Sequence, residues 1–151
     1  MRKILLPPVL LLLCLIGIVA VNYFGLSVIV LLSGPVKLIG YGLIAFGIFL
    51  PVWGARLFRQ HKTNLIPYKD PDNIVTIGPF GFSRNPMYLG MGMVFVLLGV
   101  AVLYGTALGF IFPVVYFAVA NGWYIPFEEG RMQEAFGDEF TAYKAQVRRW
   151  L

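Results

Sequence analysis

Three long stretches without any charged residue constrain the fold of this chain more than any other feature. They run from Ile4 to Val36, from Leu38 to Ala55 and from Asn85 to Phe127. The hydrocarbon core of a bilayer is about 30 Å thick, and a helix needs about 20 apolar residues to cross it. As one helix the last stretch would be about 65 Å long, so it must fold back into two spans. Only 13% of the residues are charged, about half the fraction in a soluble domain.

Turn signals divide these stretches into spans. Tyr104-Gly105-Thr106 lies near the middle of the last stretch and predicts its turn. The first stretch also exceeds one crossing, and we expect it to break at Asn22–Gly25 or at Ser33-Gly34-Pro35. A further span then runs from about Val36 to Leu57. We predict an all-α fold, a polytopic membrane bundle of four transmembrane helices, or of five if residues 26–32 form a partial span.

The charged residues predict one domain with four segments. Residues 1–59 hold the N-terminal spans, 60–84 a cytoplasmic loop, 85–127 a helical hairpin and 128–151 a C-terminal cytoplasmic helix. Every Lys and Arg except Lys37 lies near the N-terminus, between residues 56 and 84, or after residue 127, and all acids lie in the last two regions. Four spans place these regions on one side, which the positive-inside rule makes cytoplasmic. We expect a bacterial inner-membrane protein with both termini in the cytoplasm, and no nucleic-acid partner.

The beginning of the chain allows a second interpretation. A basic start followed by an apolar run is also typical of a cleaved signal peptide. No clean cleavage site follows, and the apolar run continues too far. A retained first span is therefore expected.

Beyond Phe127 the apolar residues recur every three or four positions, which predicts a helix with one apolar face. That face comprises Met132, Phe136, Phe140, Tyr143, Val147 and Trp150. Gly137 followed by Asp138 predicts the end of one helix and the cap of a second. The helical region would either lie on the membrane surface or fold over the loop as a lid.

Several classes of membrane protein are excluded by what the spans lack. The charge-free stretches contain no Asp, Glu, Lys, Arg or His, which argues against a proton or ion transporter. His61 is the only histidine and lies in the loop, so a haem with two histidine ligands is excluded. The sequence has no P-loop and no metal-binding cluster, and we expect no metal cofactor. Cys14 is the single cysteine, which excludes an intramolecular disulfide.

Two polar clusters flank the last pair of spans and form the candidate site. The first runs from Gly78 to Gly90 and contains Arg84, followed by Asn85 as an expected helix cap. The second is Glu128-Glu129, directly after the final span. When the hairpin closes, Arg84 and both glutamates meet at one face of the membrane. Arg suits a carboxylate and Glu suits an ammonium group or two ribose hydroxyls, so a zwitterionic, hydroxyl-rich ligand is predicted.

Each of these residues also has an ordinary structural interpretation. Arg84 can extend to the interface, the two glutamates can be acids at a helix start, and Tyr88 can be an interfacial aromatic residue. Gly90-Met91-Gly92 can be a close helix contact. The combination in one order, however, points to a site.

The ordered motifs resemble the isoprenylcysteine carboxyl methyltransferase and phospholipid methyltransferase superfamily. The resemblance covers roughly Arg59 to Leu151 and rests on Gly78-Pro79-Phe80, on Arg84-Asn85-Pro86-Met87-Tyr88-Leu89-Gly90, and on Glu128-Glu129 followed by Phe136-Gly137-Asp138-Glu139-Phe140 and Tyr143. It implies a helical membrane enzyme that transfers a methyl group from S-adenosylmethionine to a membrane lipid or lipid-like amphiphile.

The resemblance also implies which residues hold the S-adenosylmethionine cofactor. By matching position they are Ile74, Val75, Phe80, Asn85, Pro86, Tyr88 and Glu128, and the charge argument adds Arg84 and Glu129. Asn85 stands where many members have His, so it can form hydrogen bonds but cannot titrate. No general base is identified.

The resemblance further bears on the methyl acceptor. Carboxyl-methylating relatives have an arginine four residues before the cofactor-contacting glutamate, and this chain has Tyr124 there. We therefore expect Tyr124 near the substrate, and an amine or hydroxyl acceptor instead of an isoprenylcysteine carboxylate. Carboxyl methylation stays open as an alternative, as does a non-catalytic structural or assembly protein without cofactor affinity.

Orientation can be tested with single cysteines in a Cys14→Ala background. We expect Lys69 and Lys144 to face the cytoplasm and Gly105 the opposite side, because the charged regions share one side of the membrane. In intact cells a membrane-impermeant maleimide should label Gly105→Cys alone. Labelling of Lys69→Cys or Lys144→Cys, without labelling of Gly105→Cys, would show that the predicted orientation is wrong.

Overall fold

The fold was described from a computed structural model, which covers residues 6–26, 28, 34–61, 73–89 and 95–151. Within these residues the secondary structure is helical. The α-helices are α1 (Pro7–Tyr23), α2 (Gly34–Gln60), the single turn α3 (Pro86–Tyr88), α4 (Phe95–Tyr104), α5 (Ile111–Val119) and α6 (Ile125–Gln146). Two 3₁₀ turns, Gly78–Gly81 and Ala107–Phe110, precede α3 and α5, and a π-helical turn, Ala120–Tyr124, joins α5 to α6.

Among the described residues, two helical runs are long and apolar enough to cross a membrane. They are Gly34–Gln60 and the continuous run Ala107–Gln146, while α1 and α4 are apolar but shorter. Large hydrophobic side chains point outward, and Leu38 and Val114 are 71% and 66% exposed. Because so much exposed apolar surface is suited to lipid and not to water, the predicted all-helical membrane bundle is confirmed at this level.

The bundle has one main core and a smaller one at the polar end of α2. In the main core α1 packs against α4 and α5, and Ile18, Leu97 and Tyr116 are fully buried. The smaller core joins α2 to the segment before the hairpin through Leu57, Val75 and Phe80. Tyr88 and Tyr124 belong to the main core and Val75 and Phe80 to the smaller one, so predicted site residues lie in both.

Two predicted breaks are confirmed. The turn of the hairpin lies at Gly105, directly after the end of α4. Gly137 interrupts α6 with a φ of 49°, a left-handed conformation that glycine adopts without strain.

The predicted apolar face of the C-terminal helix was wrong at its end. α6 stops at Gln146, and the residue that caps it, Val147, has an extended backbone. Val147 and Trp150 therefore lie beyond the helix, where residues 83–85 bind their segment, as described below.

α2 and α4 approach closely where two glycines face each other. A Cβ on Gly99 would lie 2.7 Å from the carbonyl oxygen of Gly40, and a Cβ on Gly40 would lie 3.1 Å from the carbonyl oxygen of Gly99. In membranes helices gain most of their attraction from such close packing, since lipid is as apolar as the side chains. The pair thus sets the distance between the two helices.

Gly99→Ala should destabilise the protein by about 1–3 kcal/mol, because the backbone of Gly40 would have to move away. The matched control is Gly42→Ala on the facing helix α2, where an added Cβ meets nothing within 4 Å. We expect the control to stay within about 0.5 kcal/mol of wild type. Unfolding in detergent micelles measures both, and equal stability of the two variants would refute the contact.

Candidate functional site

The segment before the hairpin is anchored on α2 by aromatic packing. The rings of Phe80 and Phe58 are stacked, with centroids 4.9 Å apart and planes 17° apart. Val75 is buried in the same cluster, and Ile74 beside it is half-buried. The turn needs glycine at position 78, because its φ of 61° lies in the left-handed region and a Cβ there would lie 2.7 Å from Leu57 Cδ1.

The second half of α6 folds over this segment. The Tyr143 hydroxyl donates a 2.6 Å hydrogen bond to the carbonyl oxygen of Phe80. Burial raises the pKa of Tyr143 to about 12, so the hydroxyl stays protonated as a donor. Of the two predicted placements for this helical region, the structure therefore has the lid over residues 78–81.

Beside the Phe80–Tyr143 contact lies a cleft of about 390 Å³. Thr76, Glu139 and Gln146 contribute polar groups to its wall. Its volume lies within the usual range for sites that bind small molecules. None of the residues predicted to hold the cofactor lines this cleft, so it lies beside the candidate site and not in it.

Glu128 is joined to Tyr88 across the hairpin. The Tyr88 hydroxyl donates a 2.5 Å hydrogen bond to Glu128 Oε1, and Tyr88 is only 6% exposed. Glu128 directly follows the charge-free stretch and lies outside it. Burial raises the pKa of its carboxyl to about 7, and the Tyr88 hydrogen bond lowers that pKa by a smaller amount. The group is thus poised between its neutral and charged forms near neutral pH.

Glu129 has a different environment, although it is the next residue. Its Oε1 accepts a 2.9 Å bond from Arg84 Nη2, and its Oε2 accepts a 2.5 Å bond from Arg149 Nη2. The side chains of Arg84 and Glu129 are 12% and 16% exposed. We call Arg84, Glu129 and Arg149 the carboxylate clamp. The predicted meeting of Arg84 with the glutamate pair is confirmed, and Glu129 is its partner.

Arg84 also binds the end of α6. Its Nη1 donates to the carbonyl oxygens of Val147 at 2.6 Å and Lys144 at 3.1 Å, and its main-chain N–H donates to Arg148 at 2.9 Å. The last carbonyls of a helix have no partner within the helix and carry partial negative charge. A guanidinium satisfies both needs, so Arg84 acts as the cap of α6.

Residues 147–150, which we call the strap, are held by the neighbours of Arg84 as well. Asn85 Nδ2 and Ser83 Oγ donate to the carbonyl oxygen of Arg149 at 3.0 and 3.3 Å. Asn85 occupies the N-cap position of α3, but its side chain forms no capping bond there. The predicted side-chain cap is wrong: the Asn85 amide donates to the strap through Nδ2, and its oxygen accepts no bond from the first turn of α3.

The far end of the strap packs on the helix that leads into α6. Trp150 Nε1 donates a 3.0 Å bond to Asn121 Oδ1, and the Trp150 ring lies 4.7 Å from that of Phe117. Asn121 belongs to the π-helical turn, a distortion often found at functional sites. The same turn carries Tyr124, which is buried with its ring stacked on Tyr88, centroids 6.2 Å apart.

Of the residues predicted to hold the cofactor, the structure brings Tyr88 to Glu128 and Arg84 to Glu129, while Val75 and Phe80 pack against α2 in the smaller core. Ile74, Val75 and Phe80 follow α2, Asn85, Pro86 and Tyr88 begin the hairpin, and Glu128 and Glu129 end it. Sequence reasoning missed Arg149 and Tyr143 as partners of these residues. The adjacent pair Arg148-Arg149 was a visible signal, but it indicated only membrane orientation.

Among the described residues Glu128 can hold a cationic or hydroxyl-bearing group, whereas Arg84, predicted to grip a carboxylate, is bonded to Glu129 and to the end of α6. Glu128 offers a carboxyl whose described partner is a neutral hydroxyl, and it can accept bonds from ribose hydroxyls or an ammonium group. Phe80 and Val75 supply an apolar wall. Across the described ranges no three His, Cys, Asp or Glu side chains are grouped as metal ligands.

Comparison with known proteins identifies relatives. A family model described as phospholipid methyltransferase matches residues 36–139. The chain is also similar to an uncharacterised protein of Haemophilus influenzae, with 35% identity over 65 residues, which is 43% of this chain and 100% of that protein. No solved structure matches the chain.

The raised pKa of Glu128 predicts how stability depends on pH. The folded protein holds this proton up to pH about 7, while the unfolded chain releases it near pH about 4.3, so ligand-free protein should lose stability as pH rises between these values. Thermal unfolding in detergent between about pH 4.5 and pH 8 measures the slope. Glu128→Gln should flatten it and Glu134→Gln, at an exposed position, should not. An unchanged slope in Glu128→Gln would contradict the assignment.

Proposed function

The chain belongs to the phospholipid methyltransferase family, and we propose that it transfers a methyl group from S-adenosylmethionine to a lipid-like acceptor with an amine or hydroxyl group. The observation that carries this proposal is the Tyr88–Glu128 contact, because it places an unusual carboxyl at the charged end of an apolar bundle. Family membership supports methyl transfer in general. The cofactor and the acceptor class are our own proposals.

We assign the cofactor to the charged end of the bundle, beside the Tyr88–Glu128 contact. Glu128 receives its ribose hydroxyls or its ammonium group, Phe80 with Ile74 and Val75 supplies the apolar wall, and Asn85, Pro86 and Tyr88 complete the surface. Arg84 and Glu129 belong to the same site, but their described bonds are to each other and to residues 144–149. They support the cofactor by holding these segments in place.

Methyl transfer requires the protein mainly to align the reacting groups. The bound cofactor supplies an activated methyl group. The protein has to align the acceptor atom with that methyl and exclude water. The lid formed by the second half of α6, with Tyr143 bonded to Phe80, is suited to exclude water from the cytoplasmic side. The acceptor would enter from the lipid, between the helices.

Tyr124 supports an acceptor without negative charge. It is buried against Tyr88 and lies one helical turn before Glu128. A tyrosine hydroxyl is uncharged at neutral pH and contributes a hydrogen bond of about 1 kcal/mol, against about 1.5–3 kcal/mol for a charged partner. A carboxylate acceptor would therefore be held poorly, and a hydroxyl or amine better.

The charge distribution supports the orientation. We propose an inner-membrane enzyme whose site faces the cytoplasm, in which residues 1–59 form the first spans, 60–84 a loop, 85–127 the hairpin and 128–151 a cytoplasmic helical region. Polar cofactor would then enter from the cytoplasm.

Calorimetry on folded protein in detergent tests the cofactor site. Wild type should bind S-adenosylmethionine in the micromolar range that is usual for enzyme ligands. Glu128→Ala removes bonds to a charged group and should weaken binding at least about tenfold. Arg84→Ala should also weaken it, because the end of α6 loses its cap. Glu134→Ala is the matched control and should bind as wild type does.

Proton release on binding provides a second measurement in the same calorimetric experiment. If the ligand favours the charged form of Glu128, binding near pH about 6.5 should release a proton, since the carboxyl is partly protonated there. The measured enthalpy should then differ between phosphate and Tris buffers in wild type, but not in Glu128→Gln. Unchanged binding in Glu128→Ala and Arg84→Ala would remove the site assignment and leave family membership intact.

An assay with radiolabelled S-adenosylmethionine identifies the acceptor. Membrane lipid extract, separated into amine and phenolic or alcoholic fractions, should yield a methylated product that mass spectrometry can identify. A farnesylcysteine analogue should yield little product, because no arginine occupies position 124. Efficient methyl-ester formation on that analogue, with none on the lipid fractions, would show the acceptor proposal to be wrong.

A further inference from the structure

The proposed cofactor contacts lie on segments that are far apart in the chain. Asn85 and Tyr88 begin the hairpin, and Glu128 begins the charged part of α6. Cofactor affinity requires that these groups keep a constant spacing before the ligand arrives. The question is which interactions maintain that spacing.

Arg149 bonds to both segments at once. Its guanidinium donates to Glu129, the neighbour of Glu128, through Nη2 at 2.5 Å and Nε at 3.3 Å. Its carbonyl oxygen accepts the side-chain amide of Asn85 at 3.0 Å and the hydroxyl of Ser83 at 3.3 Å. The side chain and the main chain of one residue therefore join the two halves of the proposed site.

We propose that Arg149 is a positioning residue for cofactor binding, which acts through Glu129 and Asn85 without touching the cofactor. The inference rests on the proposed function. It assigns a role to the strap, which neither the family motifs nor the composition indicated.

The geometry of the carboxylate clamp explains why Arg149 matters in addition to Arg84. Glu129 has two carboxylate oxygens, and the closest bond to Oε1 comes from Arg84 while the closest bond to Oε2 comes from Arg149. Because both oxygens of the Glu129 carboxylate are bonded, its plane has one orientation. The helical turn that carries Glu129 and Glu128 is then held in place as well. With Arg84 alone, the carboxylate can rotate about the remaining contact.

Arg148 provides a matched control. It is adjacent and carries the same charge, its described contact is made by its main-chain carbonyl with the Arg84 N–H, and substitution leaves that contact in place. The Arg149 side chain is 35% exposed, so its truncation leaves no large cavity. Both variants change the net charge equally, which removes long-range electrostatics as an explanation.

Calorimetry with S-adenosylmethionine compares wild type, Arg149→Ala, Arg149→Lys and Arg148→Ala. We expect Arg149→Ala to weaken affinity about tenfold with an unchanged number of sites, Arg149→Lys to recover part of the loss, and Arg148→Ala to stay within about twofold. A merely structural defect would instead reduce the number of sites and leave the affinity of the remaining protein unchanged.

Hydrogen exchange without cofactor provides a readout that does not depend on the proposed function. Arg149→Ala should speed exchange in residues 83–89 and 125–131, and Arg148→Ala should not. If wild type binds S-adenosylmethionine and the Arg149→Ala and Arg148→Ala affinities are equal, the positioning role is overturned and the proposed function stands. If wild type does not bind S-adenosylmethionine, the proposed function is wrong. The positioning role is then also wrong, whatever the exchange rates show.

Discussion

The exclusion of charge from the hydrocarbon of the bilayer is the constraint on which the other features of this protein depend. A charged side chain at the centre of a membrane is costly, and the long apolar stretches contain none. Lys37 apart, the charges are therefore restricted to the two ends of the chain and the segment before the hairpin. Closing the hairpin brings the segment with Arg84 against α6, where Arg84 and Glu129 form a well-shielded ion pair.

Glu128 and Glu129 show how the environment gives two identical neighbours different properties. Glu129 lies between two guanidinium groups and serves as a structural anion. Glu128 faces a tyrosine hydroxyl near the apolar core, and burial raises its pKa to about 7. An anion that is fully paired has little to offer a ligand, whereas a desolvated carboxyl gains strongly from a cationic or hydroxyl-rich partner. The two glutamates therefore have different roles because they have different hydrogen-bond partners.

The strap links structure to the proposed function. Arg84 caps α6, while Ser83 and Asn85 bind the carbonyl oxygen of Arg149. The residues that begin the hairpin thus have two roles. The side chain of Asn85 binds the strap, and the hydroxyl of Tyr88 binds Glu128. Hydrogen bonds and an ion pair thus join the lid, the strap, the start of the hairpin and the glutamate pair to one another.

The sequence by itself determined the helical membrane bundle, the hairpin turn at Gly105, the break at Gly137 and the meeting of Arg84 with the glutamate pair. These features follow from charge exclusion, helix length and glycine conformation, which are local properties readable along the chain. Only the tertiary structure decided which glutamate pairs with Arg84, that Asn85 binds the strap, and that α6 stops before Val147 and Trp150. Those outcomes depend on which donors and acceptors meet across 45 residues, as for Arg84 and Glu129, or across 64, as for Asn85 and Arg149, and periodicity contains no information about such partners.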